Sequence, residues 1–291
     1  MPSGRLRSCY CLQRSTALSS GTANNIVHQP DQVRHRNGST VSPLLLRTMR
    51  ETIASAVEFT FPWQCVVCHS RNPVDRKEMF CEECRQSLTR EIVDSCQRCG
   101  AEVGPFARTQ QGCVHCRSRR LRFDSAICLG MYDETMRRAI LSSKWSHSAS
   151  GMKALGRLLA KQQLRNLEEL KIDIIVPIPQ PWTTRLTRAF NSATVIAEEL
   201  GRLTGIGVDY HLLRRTRKTR PQKRVAVHRR FENQKGAFRV QNLKTFAGKR
   251  VLLVDDVLTT GATCSEASRM FKTHKAKAVH VAVVARVLDN F

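Results

Sequence analysis

The chain has 291 residues and carries 48 lysines and arginines against 24 acidic residues, a formal charge of +24. Its length holds two domains, or one α/β domain with an appended module, and its charge favours polyanionic partners such as nucleic acid or a pyrophosphate-bearing ligand. No apolar run approaches the roughly 20 residues that span a bilayer, and the N-terminus lacks the apolar stretch of a secretory signal, so the expected compartment is the cytoplasm.

Residues 1–48 are rich in Ser, Arg, Asn and Gln without a sustained period. They read as a disordered tail or as a misassigned start upstream of Met49. A short amphipathic helix is expected over 53–62, leading straight to Cys65. Four Cys-x-x-Cys knuckles follow: Cys65 with Cys68, Cys81 with Cys84, Cys96 with Cys99, and Cys113 with Cys116. In a reducing compartment paired cysteines serve as metal ligands rather than disulfides. Each knuckle presents two thiolates to one tetrahedral ion, and two knuckles about a dozen residues apart close a four-sulfur zinc site. Two structural zinc ions are therefore expected in a double zinc ribbon over residues 49–118. The spacing allows either the sequential pairing of knuckles or a cross-braced one. Iron–sulfur ligation and a thioredoxin-like redox pair fit four regular knuckles poorly. His69 and His115 read as solvent-facing, Cys128 as a core thiol, and Cys9, Cys11 and Cys264 show no partner pattern.

From residue 119 onward strands and helices alternate. A strand is expected over 123–131, a helix over 133–143 begun by an Asp cap, a second helix over 152–167, and a buried strand over 172–176 closed by Pro177-Ile178-Pro179. A helix over 189–203, a basic stretch over 214–230, and a last strand over 278–285 complete the order. This alternation implies an α/β fold with a parallel sheet flanked by helices, with ligands at the carboxyl ends of its strands. Aromatic residues are sparse and do not interleave with the basic runs, so a single-strand stacking platform is not evident.

Residues 251–263 carry the densest chemistry: Val251-Leu252-Leu253-Val254 is apolar, Asp255-Asp256 is acidic, and Val257-Leu258-Thr259-Thr260-Gly261-Ala262-Thr263 is a hydroxyl-rich loop around a glycine. The order describes a buried strand that ends in the acidic pair and turns through a phosphate cradle into a helix. Two carboxylates accept hydrogen bonds from vicinal sugar hydroxyls, and loop N–H groups at a helix N-terminus meet a phosphate. A Walker loop needs Gly-Lys-Ser/Thr and a dinucleotide fold needs Gly-x-Gly-x-x-Gly; neither is present.

The thirteen residues resemble the binding motif of type I phosphoribosyltransferases, which use 5-phosphoribosyl-1-pyrophosphate (PRPP). That resemblance implies Asp255 and Asp256 on the ribose hydroxyls, the Val254–Thr263 segment around the phosphoribosyl group, and Mg²⁺ bridging ribose and pyrophosphate. Lys144, Arg185 and Arg188 are candidates for the pyrophosphate side. Zinc knuckles joined to this pattern resemble the ComF family, the competence protein F and GntX-like group. The resemblance is carried by Val176-Pro177-Ile178-Pro179, Arg188-Ala189-Phe190-Asn191, Thr219-Arg220-Pro221-Gln222, Arg230-Phe231-Glu232-Asn233 and Gly236-Ala237-Phe238. It runs from about Phe59 to the C-terminus.

It implies a phosphoribosyltransferase-like domain over 119–291 that binds PRPP with Mg²⁺ and transfers the phosphoribosyl group to a nitrogenous acceptor, linked to natural competence and DNA uptake. The alternative is a catalytically silent adaptor of transformation that keeps the pocket and engages single-stranded DNA and DNA-processing proteins. Two departures from the family pattern stand out: Ala189 replaces a glycine, and Lys144-Trp145-Ser146-His147 lacks its glycine, which restricts φ > 0 conformations there. Thr259 stands where purine-salvage relatives have an Asp, and a hydroxyl is a poor general base, which argues against a hypoxanthine-like acceptor.

Overall fold

The computed structural model describes residues 64–71, 78–107, 112–145, 148–181, 184, 187–217, 219, 225–226 and 229–288. These all belong to one compact unit, Ile53–Phe291. The expected N-terminal tail and the helix over 53–62 lie outside the described residues.

Four parallel strands form the central sheet: β1 (Ser125–Met131), β2 (Ile174–Pro177), β5 (Arg250–Leu258) and β6 (Ala278–Arg286), in the order β1-β6-β5-β2. The two inner strands are near-continuous apolar runs because a parallel sheet is covered on both faces. Their alternation sorts side chains into two cores. Leu252, Val254, Ala282 and Val284 pack on one face with Leu155, Leu159, Ile196 and Leu200. Val251, Leu253, Val281 and Val283 pack on the other with Phe246 and Phe271.

Helices α3 (Ser150–Leu170) and α4 (Ser192–Thr204) supply the first core's outer layer. They cross closely at Gly156, where a Cβ would sit 3.2 Å from Ile196 Cα. Before α3 comes α2 (Glu134–Trp145), begun as expected by Asp133, whose Oδ1 accepts the Met136 N–H at 2.8 Å. Helix α4 starts three residues later than expected. Asn191 takes the cap, accepting the Ala193 N–H at 3.2 Å, and so leaves Arg188–Phe190 as a turn.

The basic stretch contains elements that lack a long hydrophobic period. Strand β3 (Leu213–Arg215) pairs antiparallel with β4 (Phe238–Val240), while α5 (Arg230–Gln234) and α6 (Leu243–Phe246) flank the latter. Helix α7 (Ala262–Thr273) follows β5 and covers the second core through Cys264, Ala267 and Phe271.

The cysteine module carries a helix of its own, α1 (Glu82–Leu88), which starts directly after Cys81. Phe80 and Leu88 join Leu129 and Met136 in the first core, so the first ribbon is continuous with the α/β layers. The second ribbon covers the free edge of β1: Ala126 donates its N–H to Gln97 O at 3.2 Å, and Cys128 Sγ donates to Gly100 O at 3.3 Å. Cys128 is the core thiol expected, and burial pushes its pKa up to about 12.

Candidate functional site

The strand that carries the acidic pair does not end there. Strand β5 continues through Asp255 and Asp256 to Leu258, paired on one side with β6 up to Arg286. On the other side β2 stops at Pro177, opposite Val254. Among the described residues no strand pairs with Asp255–Leu258 beyond that point on this side, and here a cleft of about 310 Å³ opens. That is near the small end for a small-molecule site. Its walls include the carboxyl ends of two strands, Ile178, Pro179 and Gln180 after β2 and Asp255 and Asp256 in β5, together with Thr263 of α7.

Lys144, from the end of α2, reaches Asp256 with Nζ 2.6 Å from Oδ2; both side chains are largely buried. Asp255 Oδ1 accepts the Asp256 N–H at 2.9 Å. Burial, and then the neighbouring Asp256 charge, push the Asp255 pKa up to about 7; that N–H, Lys144 and Arg215 pull the other way. Arg215 donates to Pro179 O at 3.3 Å, Thr219 Oγ1 at 3.2 Å and Gln234 Oε1 at 3.3 Å, with its guanidinium 4.5 Å from the Phe238 ring centroid. Burial brings its pKa down to about 10, opposed by Asp255. Arg188, half-buried, lines this cleft and an adjoining one of about 470 Å³ beside Phe190, Tyr210 and His211.

The sequence-derived residues separate into groups. Asp255, Asp256, Thr263, Lys144 and Arg188 meet in the cleft. Val254 and Leu258 are buried in the sheet, and Val257 is half-buried against the first core. Thr259 begins the turn, and Gly261 caps α7 with φ 81°. Thr260 and Ala262 face a different cleft, on the other side of the loop, so the hydroxyls are divided between two surfaces. Arg185, Ser146 and His147 lie outside the described residues. Among the described residues other than glycine, positive φ occurs at His69, Met79, Lys171, Asn242 and Lys275, so Ala189 takes an ordinary backbone conformation without its family glycine.

Arg215 and Gln234 were not anticipated from sequence. Each comes from an element too short to show a period, and Thr219, in a family motif, was the nearest signal. Chemically, paired carboxylates at an open strand edge accept hydrogen bonds from vicinal hydroxyls or hold a hard divalent cation through oxygen.

The eight knuckle cysteines gather in sequential pairs. Cys65, Cys68, Cys81 and Cys84 form one set and Cys96, Cys99, Cys113 and Cys116 the other, the ligand atoms of each within 4.8 Å of one another, which rules out the cross-braced pairing. Sulfur–sulfur separations are 3.6 Å for Cys68–Cys81, 3.6 Å for Cys99–Cys113 and 3.8 Å for Cys96–Cys116. A zinc tetrahedron with ordinary Zn–S bonds has edges of about 3.8 Å, so both sets fit zinc. In the second set the Cys96 thiol is drawn down to about 4 by its hydrogen bond with Cys99, while that bond and burial push Cys99 far up. A divalent ion is what lets four such thiols ionise together. His69 is exposed as expected, but His115 is half-buried against the second set rather than solvent-facing.

Family models match residues 147–290 as a phosphoribosyl transferase domain and residues 56–117 as a double zinc ribbon domain. Competence protein F of Haemophilus influenzae is 27% identical over 78% of this chain and 98% of that protein. The chain thus joins a double zinc ribbon to a phosphoribosyl transferase domain. Another relative, the DNA utilization protein YhgH of Escherichia coli (strain K12), is 28% identical over 79% of this chain and 99% of YhgH. Among solved structures, a glutamine PRPP amidotransferase from B. subtilis aligns with 47% of this chain and 26% of that one, at 23% identity and a TM-score of 0.32. Among the described residues, no helix is long and apolar enough to cross a membrane.

Proposed function

We propose that this chain is a ComF-family protein that binds PRPP with Mg²⁺ in the cleft at the end of β5 and transfers the phosphoribosyl group to a nitrogenous acceptor, in a process connected with DNA use. The observation that carries this reading is the acidic pair on the edge of β5 beyond the end of β2, with Lys144, Arg188 and Thr263 around one cleft. Asp255 and Asp256 would receive the ribose hydroxyls and share Mg²⁺. Lys144 and Arg188 would face the pyrophosphate, and the start of α7 the 5′-phosphate. When bound, Mg²⁺ would neutralise charge on the departing pyrophosphate. Lys144 is engaged with Asp256, so ligand binding exchanges that ion pair for contacts to PRPP. The names of the relatives, competence and DNA utilization, support the link with DNA.

Calorimetry with PRPP and Mg²⁺ tests the binding: wild type should bind, and Asp255→Asn/Asp256→Asn should lose at least about tenfold in affinity, about 1.4 kcal/mol. Pyrophosphate release across a panel of nucleobases and amines tests the transfer. Binding without release from any acceptor would leave the second reading, an adaptor that keeps the pocket as a ligand site. A specific feature favours that alternative: a cleft of about 650 Å³ beside the loop, where Arg119, Arg120, Arg122 and Lys235 outnumber Glu232 and the Arg269–Glu266 pair, suits the phosphodiester backbone of single-stranded DNA.

A further inference from the structure

Arg286 ends β6 and is only 2% exposed, among the largest fully buried side chains. A buried guanidinium costs several kcal/mol unless its donors are satisfied. Here no carboxylate pairs with it among the described residues; backbone carbonyls take its hydrogen bonds instead. Nε donates to Cys99 O at 3.0 Å, and one terminal nitrogen donates to Leu258 O at 3.1 Å, Thr259 O at 2.6 Å and Val287 O. Cys99 is a ligand of the second four-sulfur set. Leu258 and Thr259 close β5 and open the turn into α7.

A second route joins the same two places. After Cys116 the chain turns through Arg119, whose N–H donates to Cys116 O at 3.0 Å, and Leu121, whose N–H donates to Arg119 O at 3.0 Å. Leu121 then lies against Gly261, where an added Cβ would come 2.9 Å from Leu121 Cδ2. Ser265 fastens the segment to α7, its Oγ donating to Arg120 O at 3.1 Å and accepting the Arg122 N–H at 3.0 Å. Arg286 thus ties the second ribbon's Cys99 to the loop at Thr259, and the ribbon's outgoing chain meets the loop at Gly261. Four thiolates around one divalent ion also leave a net charge of about −2. With an ion held by Cys96, Cys99, Cys113 and Cys116, that charge beside Arg286 would serve as the counter-ion a buried arginine otherwise lacks.

We propose that Arg286 is a positioning residue that couples the second four-cysteine site to the Thr259–Thr263 loop, so that zinc held there sets the loop's affinity for a phosphoribosyl ligand. This rests on the PRPP reading above. Arg286→Lys keeps the charge and removes the fork, and Cys113→Ser opens the second zinc site. Each should weaken PRPP binding about tenfold by calorimetry. The double variant should be no weaker than the worse single one. Lys161→Ala, which cuts the exposed contact to Glu78 of the first ribbon, should leave affinity unchanged.

Arg286→Lys should retain two zinc ions per chain by metal analysis while amide exchange over residues 258–263 quickens about tenfold. Unchanged affinity and exchange in Arg286→Lys, additive losses in the double variant, or an equal loss in Lys161→Ala would each overturn the coupling. Should wild type bind no PRPP at all, the functional reading fails, and the exchange measurement alone decides the coupling. Should Cys113→Ser not fold, Arg286→Lys still carries the test.

Discussion

Asp255 is held near the middle of its titration at neutral pH, since burial and Asp256 push its pKa up to about 7. Ribose hydroxyls donate to an ionised carboxylate, so PRPP affinity should be flat above about pH 8 and fall by up to about tenfold per unit below pH 7. Asn at this position should remove that dependence; calorimetry between pH 6 and 8.5 checks both. The effect on stability has a defined sign. Folded Asp255 keeps its proton up to about pH 7, whereas the unfolded chain releases it near the ordinary 3.8, so ionising this group costs stability as pH rises from about 4 to 7. The stability of Asp255→Asn relative to wild type should therefore grow over that range, by a few kcal/mol in urea titrations. Lys144 opposes the shift, so Lys144→Met should move the pH at which PRPP binding is half lost upward from 7. A midpoint that stays in place would detach Lys144 from the pair's electrostatics.

At the scale of elements, the join between β5 and α7 is where strand and helix geometry meet. Gly261 caps α7 at φ 81° with Leu121 packed on its Cα. Alanine there takes on left-handed strain and a steric contact together, so Gly261→Ala should lose about 1–3 kcal/mol of stability in urea titrations and weaken PRPP binding. An unchanged urea midpoint would mean that the turn relaxes freely. Much of this join was legible in the chain: four apolar residues before two carboxylates, then threonines around a glycine, specify strand, acid pair and turn. The strand's continuation to Leu258 was not, because it depends on pairing with β6 after β2 has stopped, and pairing partners leave no local mark. Arg215 was hidden for a related reason. It reads as one cation in a basic stretch, and only the β3–β4 pairing carries it to Pro179 and Gln234. Arg286 ends an apolar strand where a solvent-facing residue is the ordinary reading, and the carbonyls that bury it come from sequence positions 99 and 258–259. The cysteine sets were fully readable as knuckles, because the two ligands of each turn are local, whereas the choice of partner knuckle required three dimensions.

At the scale of the molecule, part of the chain's basic surplus lines two clefts on either side of the loop at the head of α7. The acidic pair makes one of them a site for hydroxyls and metal, with Lys144, Arg188 and Arg215 as its cations. The other has few opposing charges. Glu266 is occupied by Arg269 at 2.7 Å and by the Gly236 N–H at 2.8 Å, leaving Glu232 against Arg119, Arg120, Arg122 and Lys235. Leu121 is turned toward Gly261, and Arg120 and Arg122 on either side of it are exposed in the second cleft. If a single strand runs there, each phosphate contact contributes about −0.7 to the slope of log affinity against log salt. Arg120→Ala/Arg122→Ala should make that slope about 1.4 less steep for an oligothymidylate, measured by fluorescence anisotropy between 50 and 300 mM salt. PRPP affinity should hold in the same variant, because neither arginine lines the acidic cleft. An unaltered slope would place the strand elsewhere on the basic surface. A joint loss of strand and PRPP binding would overturn the separation of the two clefts.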